Sequence, residues 1–79
     1  MKTYVEVICS FSSSGQIKPL YIKWGNGTIY EITRINKIIP LKRDDNSCIQ
    51  FTCQIGQNIR NLFLEEGKWY VENRSMMYN

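Results

Sequence analysis

The amino-acid sequence predicts a small all-β domain. Eleven of its 79 residues are isoleucine and none is alanine. β-Branched side chains fit a pleated surface and crowd a helix, whereas alanine is the best helix former. Apolar residues alternate with a period of two at Leu20, Ile22 and Trp24, and again at Ile49, Phe51, Cys53 and Ile55, the pattern of half-buried strands. Clusters of glycine, serine, asparagine and aspartate cut these runs at short intervals, as turns do.

The elements follow in order. From Lys2 to Phe11, Val5, Val7, Cys9 and Phe11 form one stripe and Tyr4, Glu6, Ile8 and Ser10 the other, which gives strand one, with Ile8 an apolar residue on the polar face. Ser12 to Gln16 is a serine-glycine turn. Strand two runs from Ile17 to Trp24, and Pro19, which cannot donate to a ladder, places its start on an edge or at a bulge. Gly25-Asn26-Gly27 reverses the chain into a hairpin. Strand three spans Thr28 to about Lys42. Its isoleucines at 29, 32, 35, 38 and 39 also match a helical stripe, but β-branched content and Pro40 favour a long strand bent or bulged near Thr33 to Asn36.

Arg43 to Ser47 is a polar loop. Strand four, Cys48 to Ile55, points Ile49, Phe51, Cys53 and Ile55 inward. Gly56-Gln57-Asn58 breaks it, Ile59 to Leu64 forms strand five, and Glu65-Glu66-Gly67 turns into strand six, Lys68 to Glu72. There Trp69 and Val71 face one side and Tyr70 the other. Residues 1–72 make one domain and 73–79 a patternless tail. Five to six antiparallel strands with short connections suit a small barrel or a strongly twisted sheet, of the SH3-like or OB-like kind, because closure removes exposed edges.

Gly15, Ile17, Pro19, Ile22, Trp24, Gly27, Tyr30 and Ile32, together with the later Gly67-Lys68-Trp69-Tyr70-Val71, resemble a group of short, uncharacterised bacterial proteins. The likeness covers about half the chain. It implies a small β-barrel without assigned activity and carries no functional residue across.

Composition bounds the chemistry. Hydrophobic residues are 43% and aromatics 13%, ample for a folded core. Histidine is absent, which removes the commonest general base and transition-metal ligand. Cys9, Cys48 and Cys53 therefore lack a base to activate them, and an odd count without secretory context reads as reduced thiols. Cys48 and Cys53 are five apart, so on one strand they point to opposite faces and cannot share a metal. Asp44-Asp45 and Glu65-Glu66 sit in turns, and Gly25-Asn26-Gly27 lacks the lysine and helix of a phosphate loop. The chain reads as non-enzymatic, with no catalytic residue, cofactor, metal or small-molecule substrate. The apolar start is interrupted by Glu6 and ended by Ser12, unlike a signal peptide, and no run approaches a membrane span, so the expected location is the cytoplasm.

Two binding roles remain. Tyr70, Met76, Met77 and Tyr78, with Tyr4 and Ile8, are apolar groups that one small core need not absorb, and a sheet edge near Pro19 or at strand six could accept another strand. Association with a protein partner or a second copy is the leading reading. The alternative is nucleic-acid binding through Tyr21, Lys23, Arg34, Lys37, Lys42, Arg43 and Arg60, since the formal charge is +3 and phosphates seek cations while bases seek rings. The plainer explanation of that basic set is a solvated face, interspersed with Glu6, Glu31 and Glu72.

Overall fold

A computed structural model of the chain describes residues 2–72. It contains eight strands and, among the described residues, no helix: β1 (Lys2–Tyr4), β2 (Glu6–Phe11), β3 (Ile17–Lys23), β4 (Ile29–Glu31), β5 (Arg34–Arg43), β6 (Asn46–Ile55), β7 (Asn58–Glu65) and β8 (Lys68–Glu72). Every pairing is antiparallel. The strands fall into a five-stranded sheet, ordered β1-β8-β7-β6-β5, and a three-stranded sheet, ordered β2-β3-β4.

Six expected strands become eight because two long ones each bend from one sheet into the other. The first bend is at Val5, whose N–H donates to the Trp69 carbonyl. The second is at Ile32 and Thr33, whose N–H groups donate to Leu20 in one sheet and Gln54 in the other. A register shift between Ile35 and Lys37 adds a bulge at Asn36. The bend and the bulge both fall in the stretch where the isoleucine spacing changes phase, and together they explain its helix-like periodicity. A second register shift lies beside Pro19, between Ile8 and Cys9 on the partner strand.

The turns are tighter than the sequence suggests. Asp44 and Asp45 both have positive φ (49° and 68°), the two-residue hairpin conformation that matches strand twist. The polar loop expected over residues 43–47 is thus only those two residues, and β5 and β6 each run on to meet them. Glu66 and Gly67 repeat the device between β7 and β8 (φ 53° and 76°).

The main core lies between the sheets. Ile22 and Ile32 meet Phe51, Cys53 and Leu62, with Trp24, Ile35, Ile49 and Trp69 packed around them. Phe51 and Trp69 rings lie 5.5 Å apart. Burying Phe51 or Leu62 stabilises the fold by about 1.5–3 kcal/mol each.

The sheets do not close into a barrel. β3 pairs with β4 only over Tyr21–Lys23, and β5 pairs only with β6. Between the two bends, the first half of β3 and the last two-thirds of β5 therefore diverge without a mutual ladder. The gap this leaves is lined by residues of β2, β3, β5 and β6.

Candidate functional site

That gap is a groove of about 860 Å³. Its floor is Ile17, Ile35, Ile38, Ile49 and Phe51, and its rim includes Ser10, Ser12, Lys18, Asn36 and Lys37. Ile38 stands opposite Phe51 in register, hence on the inner face, yet it is 59% exposed because no strand of the three-stranded sheet covers it. Phe11, opposite Ile17 at the end of β2, is 72% exposed. An inward-facing apolar residue left uncovered marks a surface that another group can bury.

The groove is flanked by unpaired backbone. β5 is the terminal strand of its sheet, so one side of it is free among the described residues. The two-residue turn fixes the phase of its ladder. Arg43 and Asn46 close the hairpin as a hydrogen-bonded pair, and alternation then aims the backbone groups of Leu41 and Ile39 at β6. Those of Lys42, Pro40 and Ile38 point to the free edge. Pro40 has no N–H to offer there, which is how proline is tolerated on an edge strand.

The electrostatics of the groove are one-sided. Lys18 and Lys37 are the charged residues that line it, and no carboxylate does. Neither lysine has an ion-pair partner among the described residues. β5 itself carries Arg34, Lys37, Lys42 and Arg43 and no acid.

The outer face of the five-stranded sheet carries a second, smaller core, and this corrects the sequence reading of Tyr70. Its side chain does point away from the main core, but it is fully buried. Tyr70 stacks on Phe63 with centroids 5.1 Å apart and meets the Tyr4 ring edge-on at 5.8 Å. The Lys2 ammonium lies 4.7 Å from its ring centre and the Arg43 guanidinium 4.7 Å from that of Phe63. Long cationic side chains laid flat over rings thus do the burying. The Tyr70 hydroxyl donates to Glu65 Oε1 at 3.3 Å and accepts from Arg43 Nη1 at 3.4 Å, with Cys48 Sγ at 3.7 Å.

Protonation follows this packing. Burial, then the hydrogen bond to Cys48, pushes the Tyr70 phenol well up. The hydrogen bond to Glu72 at 2.8 Å raises Arg43 further above neutrality. Burial pulls the Glu65 carboxyl up, but Lys2 at 3.3 Å and the Tyr70 hydroxyl outweigh it and hold it below its usual value. The same Glu65 contact raises Lys2. These groups satisfy one another, so the cluster braces the outer face of the sheet. Met76, Met77 and Tyr78, named with Tyr70 as interaction residues, lie outside the described residues.

The seven basic-face residues are not brought together. Tyr21 and Lys23 are on the outer face of the three-stranded sheet, where Lys23 pairs with Glu6 at 3.6 Å and Tyr21 stands between Ile8 and Glu31. Arg34 and Lys37 are on the five-stranded sheet, opposite Gln54 and Thr52. Lys42 sits at the β5–β6 turn opposite Ser47, and Arg43 is engaged by Glu72 and Phe63. Arg60 is exposed on β7 and donates to the Ile59 carbonyl. The one aromatic ring of the set therefore stands apart from its free cations. Sequence reading missed Lys18, Ile38 and Phe11. Ile38 and Pro40 on a ten-residue cationic strand were the available signal.

The thiols are arranged as expected. Cys48 belongs to the outer cluster and Cys53 to the inter-sheet core. Burial pushes the Cys53 thiol up to about 11, away from nucleophile or metal-ligand behaviour. Among the described residues, no group of cysteines and carboxylates is placed to hold a metal, and no helix is long and apolar enough to cross a membrane. No protein-family model, curated protein or solved structure matches the chain, so the groove beside β5 has to be read from its own chemistry.

Proposed function

We propose that this protein is a non-enzymatic binding module that associates with another polypeptide by strand addition to β5. The observation that carries this reading is the coincidence of a free strand edge with an uncovered apolar groove along Ile35–Ile38. Main-chain pairing to an edge gives affinity, and pockets for alternate side chains give selectivity. In this reading Ile38, Pro40 and Lys42 supply the edge, and Ile17, Ile49 and Phe51 receive the incoming side chains. A 79-residue domain also gains stability from covering such a groove.

Nucleic-acid binding is the weaker reading. Its support is the +3 charge with Arg34 and Lys37 unpaired among the described residues, but stacking platforms need rings beside cations, and Tyr21 is on the other sheet.

Amide hydrogen exchange in the presence of extended peptides tests the proposal. Bound peptide should slow exchange of the Ile38 and Lys42 amides selectively. Protection confined to the outer face of β3 and β4, around Tyr21, would place association elsewhere and overturn it.

A further inference from the structure

We infer that the occupant of the β5 edge is an acidic extended segment with alternating apolar residues, and not a second copy of this chain; this rests on the strand-addition reading above. The inference follows from charge. Four of the ten residues of β5 are cationic and none is acidic. Any pairing of β5 with its own copy brings two cationic, acid-free strands together, and a two-fold axis at Ile39 sets Arg34 opposite Arg43 once the Asn36 bulge is counted. Like charges directly opposite on a sheet destabilise the pair. A strand carrying glutamate or aspartate at those positions reverses the sign of the same interaction, and Lys18 at the groove rim adds to the positive field.

Geometry sets the pattern of the partner. Strand side chains alternate between faces, so every second residue of the added strand enters the inter-sheet space beside Ile38, above Ile49 and Phe51. These positions require apolar side chains. The intervening residues share the outer face with Arg34 and Lys37, the positions where carboxylates are favoured. Pro40 leaves the added strand without one donor, so the N–H groups that pair are those of Ile38 and Lys42. The recognised chemistry is thus a short stretch in which apolar and acidic residues alternate, four to six residues long by the span of the free edge.

Three labelled peptides of equal length test this on the full chain: alternating valine and glutamate, valine and threonine, and valine and lysine. Fluorescence anisotropy gives affinity and amide exchange reports the site. The acidic peptide should bind about tenfold more tightly than the neutral one at low salt, lose most of that advantage at high salt, and protect the Ile38 amide. In the K18E/K37E variant, both sites being exposed and free of structural contacts, the order of acidic and basic peptides should invert. Equal binding of all three peptides with the Ile38 amide protected would overturn the acidic partner while leaving strand addition intact. Binding without protection of β5 amides, or no binding by any peptide, would overturn both. Concentration-dependent protection of β5 by the protein alone would replace the inferred partner with a second copy. Binding of a thymidine decanucleotide, lost in K18E/K37E when no peptide binds, would overturn the inference in favour of a nucleic acid.

Discussion

Removing the Tyr70 hydroxyl separates the two roles of the outer-face cluster. In Tyr70→Phe the ring keeps its stack on Phe63 and its edge contact with Tyr4, while three hydrogen bonds, to Glu65 at 3.3 Å, Arg43 at 3.4 Å and Cys48 at 3.7 Å, are lost. Of the former partners, Glu65 keeps Lys2 and Arg43 keeps Glu72, and only the weakly bonding Cys48 thiol loses its contact. A hydrogen bond contributes about 0.5–1.5 kcal/mol net, and all three of these are long, so the expected loss is about 1–2 kcal/mol. For a domain this size that lowers the Tm by roughly 5–15 °C. Tyr70→Ala removes a fully buried ring as well and should cost about 3–5 kcal/mol. That is comparable with the whole stability of so small a domain, roughly 4–12 kcal/mol. Urea titration followed by tryptophan fluorescence, with Trp69 adjacent on β8, measures both. A Tyr70→Ala midpoint within experimental error of the parent would refute the buried position. Equal losses for the two variants would refute the division between ring and hydroxyl.

Other outcomes follow from the turns, thiols and edge. Gly67→Ala, at φ +76°, should destabilise by about 1–2 kcal/mol, whereas Gly25→Ala, with ordinary φ and open space around it, should be nearly neutral in the same titration. In the native protein, half-buried Cys9 should react with an aromatic disulfide reagent well before buried Cys48 and Cys53, and all should react in denaturant. Because the folded pKa of Cys53, about 11, lies above its ordinary 9.0, its neutral thiol contributes stability that is complete below pH 9 and lost as pH rises toward 11. Urea midpoints should fall across that window, and less steeply in Cys53→Ala. Pro40→Val restores a donor to the free edge of β5 and should increase self-association, seen as concentration-dependent mass in sedimentation.

The sequence by itself determined the strands and their faces, because a period of two and the dihedral demands of turn residues are local properties. Alternation at Ile49, Phe51, Cys53 and Ile55 identified the buried side of β6, and it correctly sent Cys48 and Cys53 to opposite faces. The change of phase among the isoleucines marked Thr33 to Asn36 as a bend or a bulge, and the structure holds one of each. Tertiary structure alone decided what covers each face. Tyr70 is outward by alternation but buried, because β1 pairs with β8 across almost the whole chain and lays Lys2 and Tyr4 over it. Ile38 is inward by alternation but exposed, because β3 and β5 diverge after Ile32 and leave the groove open. Burial depends on which distant strands come to lie beside a side chain, and that pairing is set by long-range packing that no local pattern encodes.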